Sequence, residues 1–295
     1  MGKSRKFKNI EKRLIVTQRN DLIQKASTDT NQMRNLTRQS FVLDVYQRKM
    51  ISLLISHVRP DAKEFELETI SFSDFIKFMG IPKGGKTIEL IHESISNLMG
   101  MSFAVEIRPS VVRYYHWIAG GCEVDEDAKV IHIQLDPALK PFLLGNKKKF
   151  TQYEIGFISN FKRKYSCRLY EYLRSMVGIG CANFSVENFS AKITDGMYIR
   201  AADLKRYVIE PALEEINATS DITVSYEECR GPGPRGKLKT TSYKFHIKEK
   251  TFEEKQIIMG TWGIPFEDIL EYDEKTRPKF CDDDYDYKIH GLPFQ

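Results

Sequence analysis

One pattern occurs twice in this sequence, and a chain that repeats it has few ways to fold. Residues 88–101 place apolar side chains at helical spacing. Phe103, Val105 and Ile107 then alternate with Ala104, Glu106 and Arg108, a long stretch passes through Gly120 and Gly121, and Ile131, Ile133 and Leu135 alternate again. Residues 204–216 repeat the helical spacing. Ile222, Val224 and Tyr226 alternate with Thr223, Ser225 and Glu227, the loop GPGPRGK follows, and Tyr243, Phe245 and Ile247 close the unit. A period of 3.6 giving way to a period of 2 at a hairpin predicts a helix packed on a small two-stranded ribbon. With helices upstream, that is the element order of a winged helix, which places its last helix in the major groove of DNA. The expected fold class is α+β: two tandem winged-helix domains with a short C-terminal extension, able to grip two adjacent duplex segments.

The bulk numbers permit this. At 295 residues, with 41% apolar and 12% aromatic residues, the chain can bury two ordinary cores. No apolar run approaches membrane-spanning length, and the start, MGKSRKFKNIEKRL, is basic without a signal-peptide core; Lys6 breaks the myristoylation pattern. The five cysteines are scattered without a CxxC pair, which fits free thiols in a reducing cytoplasm and neither a zinc site nor a disulfide scaffold. The net charge of +5 hides an asymmetry. Residues 251–295 hold 5 Lys and Arg against 11 Asp and Glu, while residues 1–250 hold 40 against 29. A body of +11 with a tail of −6 is the electrostatic footprint of a nucleic-acid binder.

Composition shifts divide the chain into a basic, loosely ordered arm (1–35), a first winged-helix domain (36–145), a second (146–250) and an acidic extension (251–295), with Lys147-Lys148-Lys149 at the linker. Ser73 is the expected cap of the helix SDFIKFM and Gly80 its stop. The tail aromatics Trp262, Phe266, Tyr272, Tyr285 and Tyr287 argue that part of the extension packs.

A competing signal lies at residues 80–87, which match the phosphate-cradling GxxxxGK[ST] loop letter for letter, with Asp136 downstream as a candidate metal ligand. Such a loop must follow a buried parallel strand, whereas SFSDFIKFM reads as a helix and the strand ending at Asp136 alternates with His132 and Gln134. A nucleotide hydrolase is therefore the distant alternative, and the same glycines serve as a turn into a helix capped by Thr87. No catalytic residue, metal site or cofactor is expected. The six histidines form neither HxH nor HExxH, and Glu210, Glu214, Glu215 and the run Asp282-Asp283-Asp284 read as solvated charge.

The expected DNA contacts follow from the helical wheel. Leu204, Val208, Ile209, Ala212, Leu213 and Ile216 form the buried arc, leaving Arg200, Arg206 and Tyr207 outward at the N-terminal half, where recognition helices read bases. Lys205 falls nearer the buried side, and Pro211 should kink the helix. Arg235, Lys237 and Lys239 in the wing, and Lys162, Arg163 and Lys164 near a helix start, suit phosphate. The first-domain equivalents are Lys83, Lys86, Thr87 and His92, with Arg108 and Arg113 on its wing.

The stretch 150–248 closely resembles the iteron-binding plasmid replication initiators, built of two winged helices. The likeness rests on FTQYEIGFISNFKRKYSCRLYEYLRS, LKRYVIEPALEEINATSDITVSYEE and a basic wing leading into YKFHIK. QRKMISLLISHVRPD, FSDFIKFMGI and PALKPFLLG match the first domain more loosely, so residues 36–248 are covered. The resemblance implies a bacterial cytoplasmic protein that binds direct repeats at a plasmid origin as a monomer. It also implies a homodimer, in equilibrium with the monomer, that binds an inverted operator repeat and represses its own gene. Host replicative helicase and host initiator protein are the implied partners. A winged-helix transcription regulator without an origin role is the nearer alternative.

Overall fold

The computed structural model describes residues 15–25, 43–58, 62–81, 84, 86–108, 111–144, 150–232 and 237–262. Lys83, Arg235, His290 and the tail beyond Trp262 lie outside them, so expectations on those residues do too.

The first half runs β1 (Ile15–Arg19), α1 (Asn20–Lys25), α2 (Val45–Ser56), β2 (Glu68–Ser71), α3 (Phe72–Met79) and α4 (Thr87–Met99). It continues with β3 (Ser102–Arg108), β4 (Val111–His116), β5 (Glu123–Asp125), β6 (Val130–Ile133) and α5 (Lys140–Leu143). The second half runs β7 (Phe150–Glu154), α6 (Gly156–Ser159), α7 (Ser166–Arg174), β8 (Cys181–Ser185) and α8 (Val186–Thr194). A helical rod follows, α9 (Ala201–Leu204) joined through Lys205–Ile209 to α10 (Glu210–Thr219), and then β9 (Ile222–Pro232), β10 (Leu238–Glu249) and α11 (Phe252–Gly260).

The second unit forms as its pattern predicts. β9 and β10 pair antiparallel from Ile222↔Glu249 to Pro232↔Leu238, and β8 adds to the far side of β10, giving the order β8-β10-β9. Val224, Tyr243, Phe245 and Ile247 face inward with Ala182 and Phe184, against a rod whose Leu204, Val208, Ile209, Ala212, Leu213 and Ile216 are all buried.

The first unit has the same sheet order, β2-β6-β5, but its wing is not the one expected. β6 pairs with β2 (Ile70↔Ile131) and with β5 (Val124↔Ile131), whereas β3 pairs with β4 in a separate hairpin, Val105 opposite Arg113. The stretch read as a long loop therefore contains two strands. Only Tyr115 of VVRYYH is buried, so that segment lacks the clean alternation of a half-buried strand. What holds the hairpin is aromatic packing: Phe103 stacks on Tyr115 and Trp117, and Tyr115 meets Phe142 of α5 edge-on at 5.2 Å.

Three local expectations also change. The cap of α3 is Ser71, whose hydroxyl accepts from the Asp74 N–H, and Ser73 lies inside the helix; Gly80 does end it, at φ 69°. Thr87 is not the cap of α4: its hydroxyl donates to the Gly84 carbonyl and accepts from the Gly84 N–H, closing the turn ahead of the helix. And residues 15–25 are not a loose arm. β1 pairs with β7 from Ile15↔Glu154 to Arg19↔Phe150, and Val16, Gln18, Leu22 and Ile23 are buried.

The core converges on α7. Every residue from Ser166 to Leu173 is buried, although the helix carries Arg168 and Glu171. It packs on α2 at one side and α10 at the other. Glu171 accepts from Tyr153 of β7 at 2.7 Å, from Arg48 of α2 at 3.2 Å and from Gln18 of β1 at 3.4 Å. Burial, with Glu171 alongside, pushes the Tyr153 hydroxyl well above its ordinary pKa. Lys49, 2% exposed, donates to the Ser159 carbonyl at 2.6 Å. A buried carboxylate is tolerated only when so surrounded, and the knot joins elements from both sides of residue 145.

The extension begins as structure. A capping box between Thr251 and Glu254 starts α11, and Ile258, Met259 and Trp262 are buried, Trp262 edge-on to Phe157 at 5.0 Å.

Candidate nucleic-acid interface

The second-unit rod is fixed at both ends before it can meet a ligand. The Tyr243 hydroxyl on β10 donates to the Ala201 carbonyl at 2.8 Å, anchoring the start. Near the other end the Asn217 amide takes both backbone groups of Val224, accepting from its N–H at 2.7 Å and donating to its carbonyl at 2.9 Å. Between them the rod widens: Glu210 N–H bonds the Lys205 carbonyl five residues back, a π-type turn immediately before Pro211. Proline offers no N–H and crowds the preceding turn, and the backbone accommodates it here with a local change of pitch.

Arg206 and Tyr207 sit on that widened turn, both exposed, Tyr207 at 49%. The Arg206 guanidinium lies over the Tyr207 ring at 5.2 Å. Arg200 is exposed as the N-cap residue of α9. Ile199, 74% exposed, and Met197, 51% exposed, precede it; sequence reasoning passed over both, because a lone apolar residue in a loop carries no periodic signal.

Lys205 is different. Its ammonium is 2.8 Å from Glu228 on β9 and 3.9 Å from Glu210. The hydrogen bond from Lys205, helped by Thr240, holds the Glu228 carboxyl below its usual range, and the bond to Glu228 raises Lys205 in turn. The cation is thus spent on tying rod to wing, in keeping with its place toward the buried side of the wheel. Lys237 and Lys239 are exposed on the wing, flanking Leu238, itself 70% exposed.

Lys162, Arg163 and Lys164 are exposed in the loop between α6 and α7. Glu215 of α10 accepts from the Lys162 N–H at 2.6 Å and the Arg163 N–H at 3.1 Å. This glutamate, read from sequence as solvated charge, positions the basic loop against the rod.

The first unit presents different chemistry. Lys86, the N-cap residue of α4, and His92 on the helix are exposed, but so are Glu89 and Glu93, and His92 lies 2.9 Å from Glu126. Its wing tip is Asp125-Glu126-Asp127-Ala128-Lys129, an acidic turn closed by the Ala128 N–H on Asp125. Arg113, exposed on β4, lies on the separate hairpin, as does the backbone of Arg108 on β3. The phosphate-loop motif at 80–87 follows helix α3, and every strand pairing among the described residues is antiparallel, so it has neither the strand nor the parallel sheet that motif requires.

A three-stranded sheet backing a helix and carrying a hairpin wing, present twice in one chain, defines a DNA-binding protein of two winged helices. The particular kind is given by family models. The model described as "Initiator Replication protein, WH1" matches residues 15–174, more than half of the chain, and that described as "Initiator Rep protein, WH2" matches residues 185–247. The chain belongs to this initiator replication protein family. Among solved structures it is similar to domains 2 and 3 of RctB, at 14% identity over 70% of this chain and 81% of that one, TM-score 0.41. It is also similar to the WH1 domain of MSBI1.176, a replication protein isolated from a multiple sclerosis patient, at 18% identity over 41% of this chain and 91% of that one, TM-score 0.27. Superpositions at that level add nothing to the assignment, which rests on the family models. Among the described residues no helix is long and apolar enough to cross a membrane.

Proposed function

We propose that this initiator acts on a plasmid, binding direct repeats at its origin in the bacterial cytoplasm, with the second winged helix as the principal reader of sequence. The observation that carries the reading is the rod of the second unit. Arg206 and Tyr207 are exposed on its N-terminal half and Arg200 just ahead of it, while its acidic residues Glu210 and Glu214 fall in the C-terminal half. Glu215 ties the basic loop to the same rod and Lys205 ties the wing to it. Arg200 and Arg206 suit guanine edges; Lys162, Arg163, Lys164, Arg235, Lys237 and Lys239 suit phosphate. Lys205 holds the rod to the wing and contributes charge from there. Lys83, Lys86, Thr87, His92, Arg108 and Arg113 would serve the first unit, with less help from its acidic wing. The proposal extends to a dimer that represses the protein's own gene at an inverted repeat, and to recruitment of host helicase and host initiator, which would leave strand opening and unwinding chemistry to those partners.

The experiment is binding to the DNA beside the gene. Footprinting with the full chain should protect repeats of about two helical turns, each about 10.5 base pairs, and Arg206→Ala should erase the protection at concentrations that leave random binding detectable. Protection of a promoter alone, with no repeats nearby, would turn the reading toward a transcription regulator.

A further inference from the structure

Lys164 and Arg206 are far apart in sequence, yet they sit at the two ends of one row of rings. The Lys164 ammonium lies 5.6 Å from the Tyr165 ring centre. Tyr165 meets Tyr198 edge-on at 6.1 Å and 80°. Tyr198 stacks on Tyr207 at 5.8 Å and 24°, and the Arg206 guanidinium lies 5.2 Å from the centre of Tyr207. The row runs outward from the core: Tyr165 is 7% exposed, Tyr198 half-buried, Tyr207 49% exposed. Burial lifts the Tyr165 hydroxyl to about 12.

The middle ring is held by a built turn. α8 ends with Asp195 at φ 50° and Gly196 at φ 73°, two successive left-handed residues that reverse the chain. Gly196 N–H returns to the Ser190 carbonyl at 2.9 Å, and the Tyr198 N–H reaches the Thr194 hydroxyl at 3.4 Å. Tyr198 is thereby placed between Tyr165, at the head of α7, and Tyr207, on the recognition rod.

We infer that Tyr198 is a positioning residue for duplex recognition, holding Arg206 through Tyr207 and Lys164 through Tyr165, so that base reading and phosphate contact are set as one unit. This rests on the reading of Arg206 as a base contact. Arginine and lysine carry much rotamer freedom, and a cation already parked over a ring loses less of it on binding.

The test uses the full chain, a duplex it selects from a randomised pool, and a scrambled duplex of the same composition, titrated at several salt concentrations. Arg206→Ala should narrow the ratio of selected to scrambled affinity roughly tenfold. Tyr198→Leu should narrow it by a similar factor and lower the salt slope by about one unit, as Lys164 loses its place. Tyr198→Phe should restore both. Tyr198→Leu with Arg206→Ala should be no worse in ratio than Arg206→Ala alone. Because Tyr198 is half-buried, Tyr207→Leu repeats the test at an exposed ring with the same expected narrowing. If the effects of Tyr198→Leu and Arg206→Ala multiply, or Tyr198→Leu leaves the ratio at the wild-type value, Tyr198 has no positioning role. If Arg206→Ala itself leaves the ratio unchanged, the base-contact reading is lost and the positioning role with it.

Discussion

At the scale of single residues, the interface separates cations by what else holds them. Arg206 lies outward on the rod over the Tyr207 ring, while the loop of Lys162 is tied down by its backbone and leaves the side chain to solvent. A base contact discriminates by about 1–3 kcal/mol, whereas a phosphate contact adds affinity for any sequence and about one unit of salt slope. Arg206→Ala is therefore expected to weaken binding to the selected site far more than to random DNA. Lys162→Ala should weaken both equally and flatten the salt dependence, and parallel titrations on two duplexes at three salt concentrations read the difference. Lys205 behaves as a third kind. Glu228→Gln should release it, raising affinity for random DNA and steepening the salt slope by about one unit. The sign with pH follows from the depressed carboxyl. The stability the pair contributes is fully present above the ordinary carboxylate pKa of about 4.3 and is lost as pH falls through the lowered value. Salt slopes of the wild type measured at pH 7 and pH 5.5 should therefore agree, and only the variant should stand apart.

At the scale of elements, the two units show what a periodic pattern can and cannot carry. In the second, each buried position of β9 and β10 is apolar and each helix position on one arc is apolar, so the sequence alone orders the element and its faces. In the first, the partner of β3 could not be read, because β4 is held by Tyr115 packing on Phe103 and Phe142 while its neighbours stay in solvent. The row Tyr165, Tyr198, Tyr207 was invisible for a related reason: three rings from three elements share no spacing. Charged positions on a helix were also misleading, since Glu215 looks like any solvated glutamate until the loop it holds is seen. The acidic extension is an element of this mixed kind. A chain ending after residue 263 should bind the selected duplex at least as tightly as the full chain at low salt, since the removed charge opposes phosphate. A chain ending after residue 250 also loses the Trp262 contact with Phe157, and removal of a buried aromatic of this size costs about 3–5 kcal/mol. Its unfolding midpoint in urea should fall sharply, while the chain ending after residue 263 keeps the wild-type value.

At the scale of the molecule, α7 is a helix with no solvated face, and no sequence rule would bury SCRLYEYLR. Its Arg168 donates to the Lys192 carbonyl, Tyr170 donates to Asp221, and Glu171 gathers Arg48, Tyr153 and Gln18 from segments more than a hundred residues away or close by in the chain. Such partners are supplied by the tertiary fold, not by neighbours. Glu171→Ala would leave the Arg48 guanidinium and the Tyr153 hydroxyl without this acceptor, a loss of about 3–5 kcal/mol for a buried pair. Against a total stability of about 5–15 kcal/mol that is a large share, so equilibrium denaturation should show it directly. Glu171→Gln, which keeps a carbonyl for Tyr153, should recover part.

That shared helix also sets an angular phase. Two readers joined by a string can reach across any gap between their sites, but two readers bolted to one axle must find their targets at a single angle and a single distance. If both winged units touch the same duplex, inserting five base pairs between their contacts carries one target about half a turn around the axis. Inserting ten brings it back to the right face but about 34 Å too far along. Both insertions should reduce footprints to the second unit's share alone. Full protection across the ten-base-pair insertion would mean that the axle turns or slides.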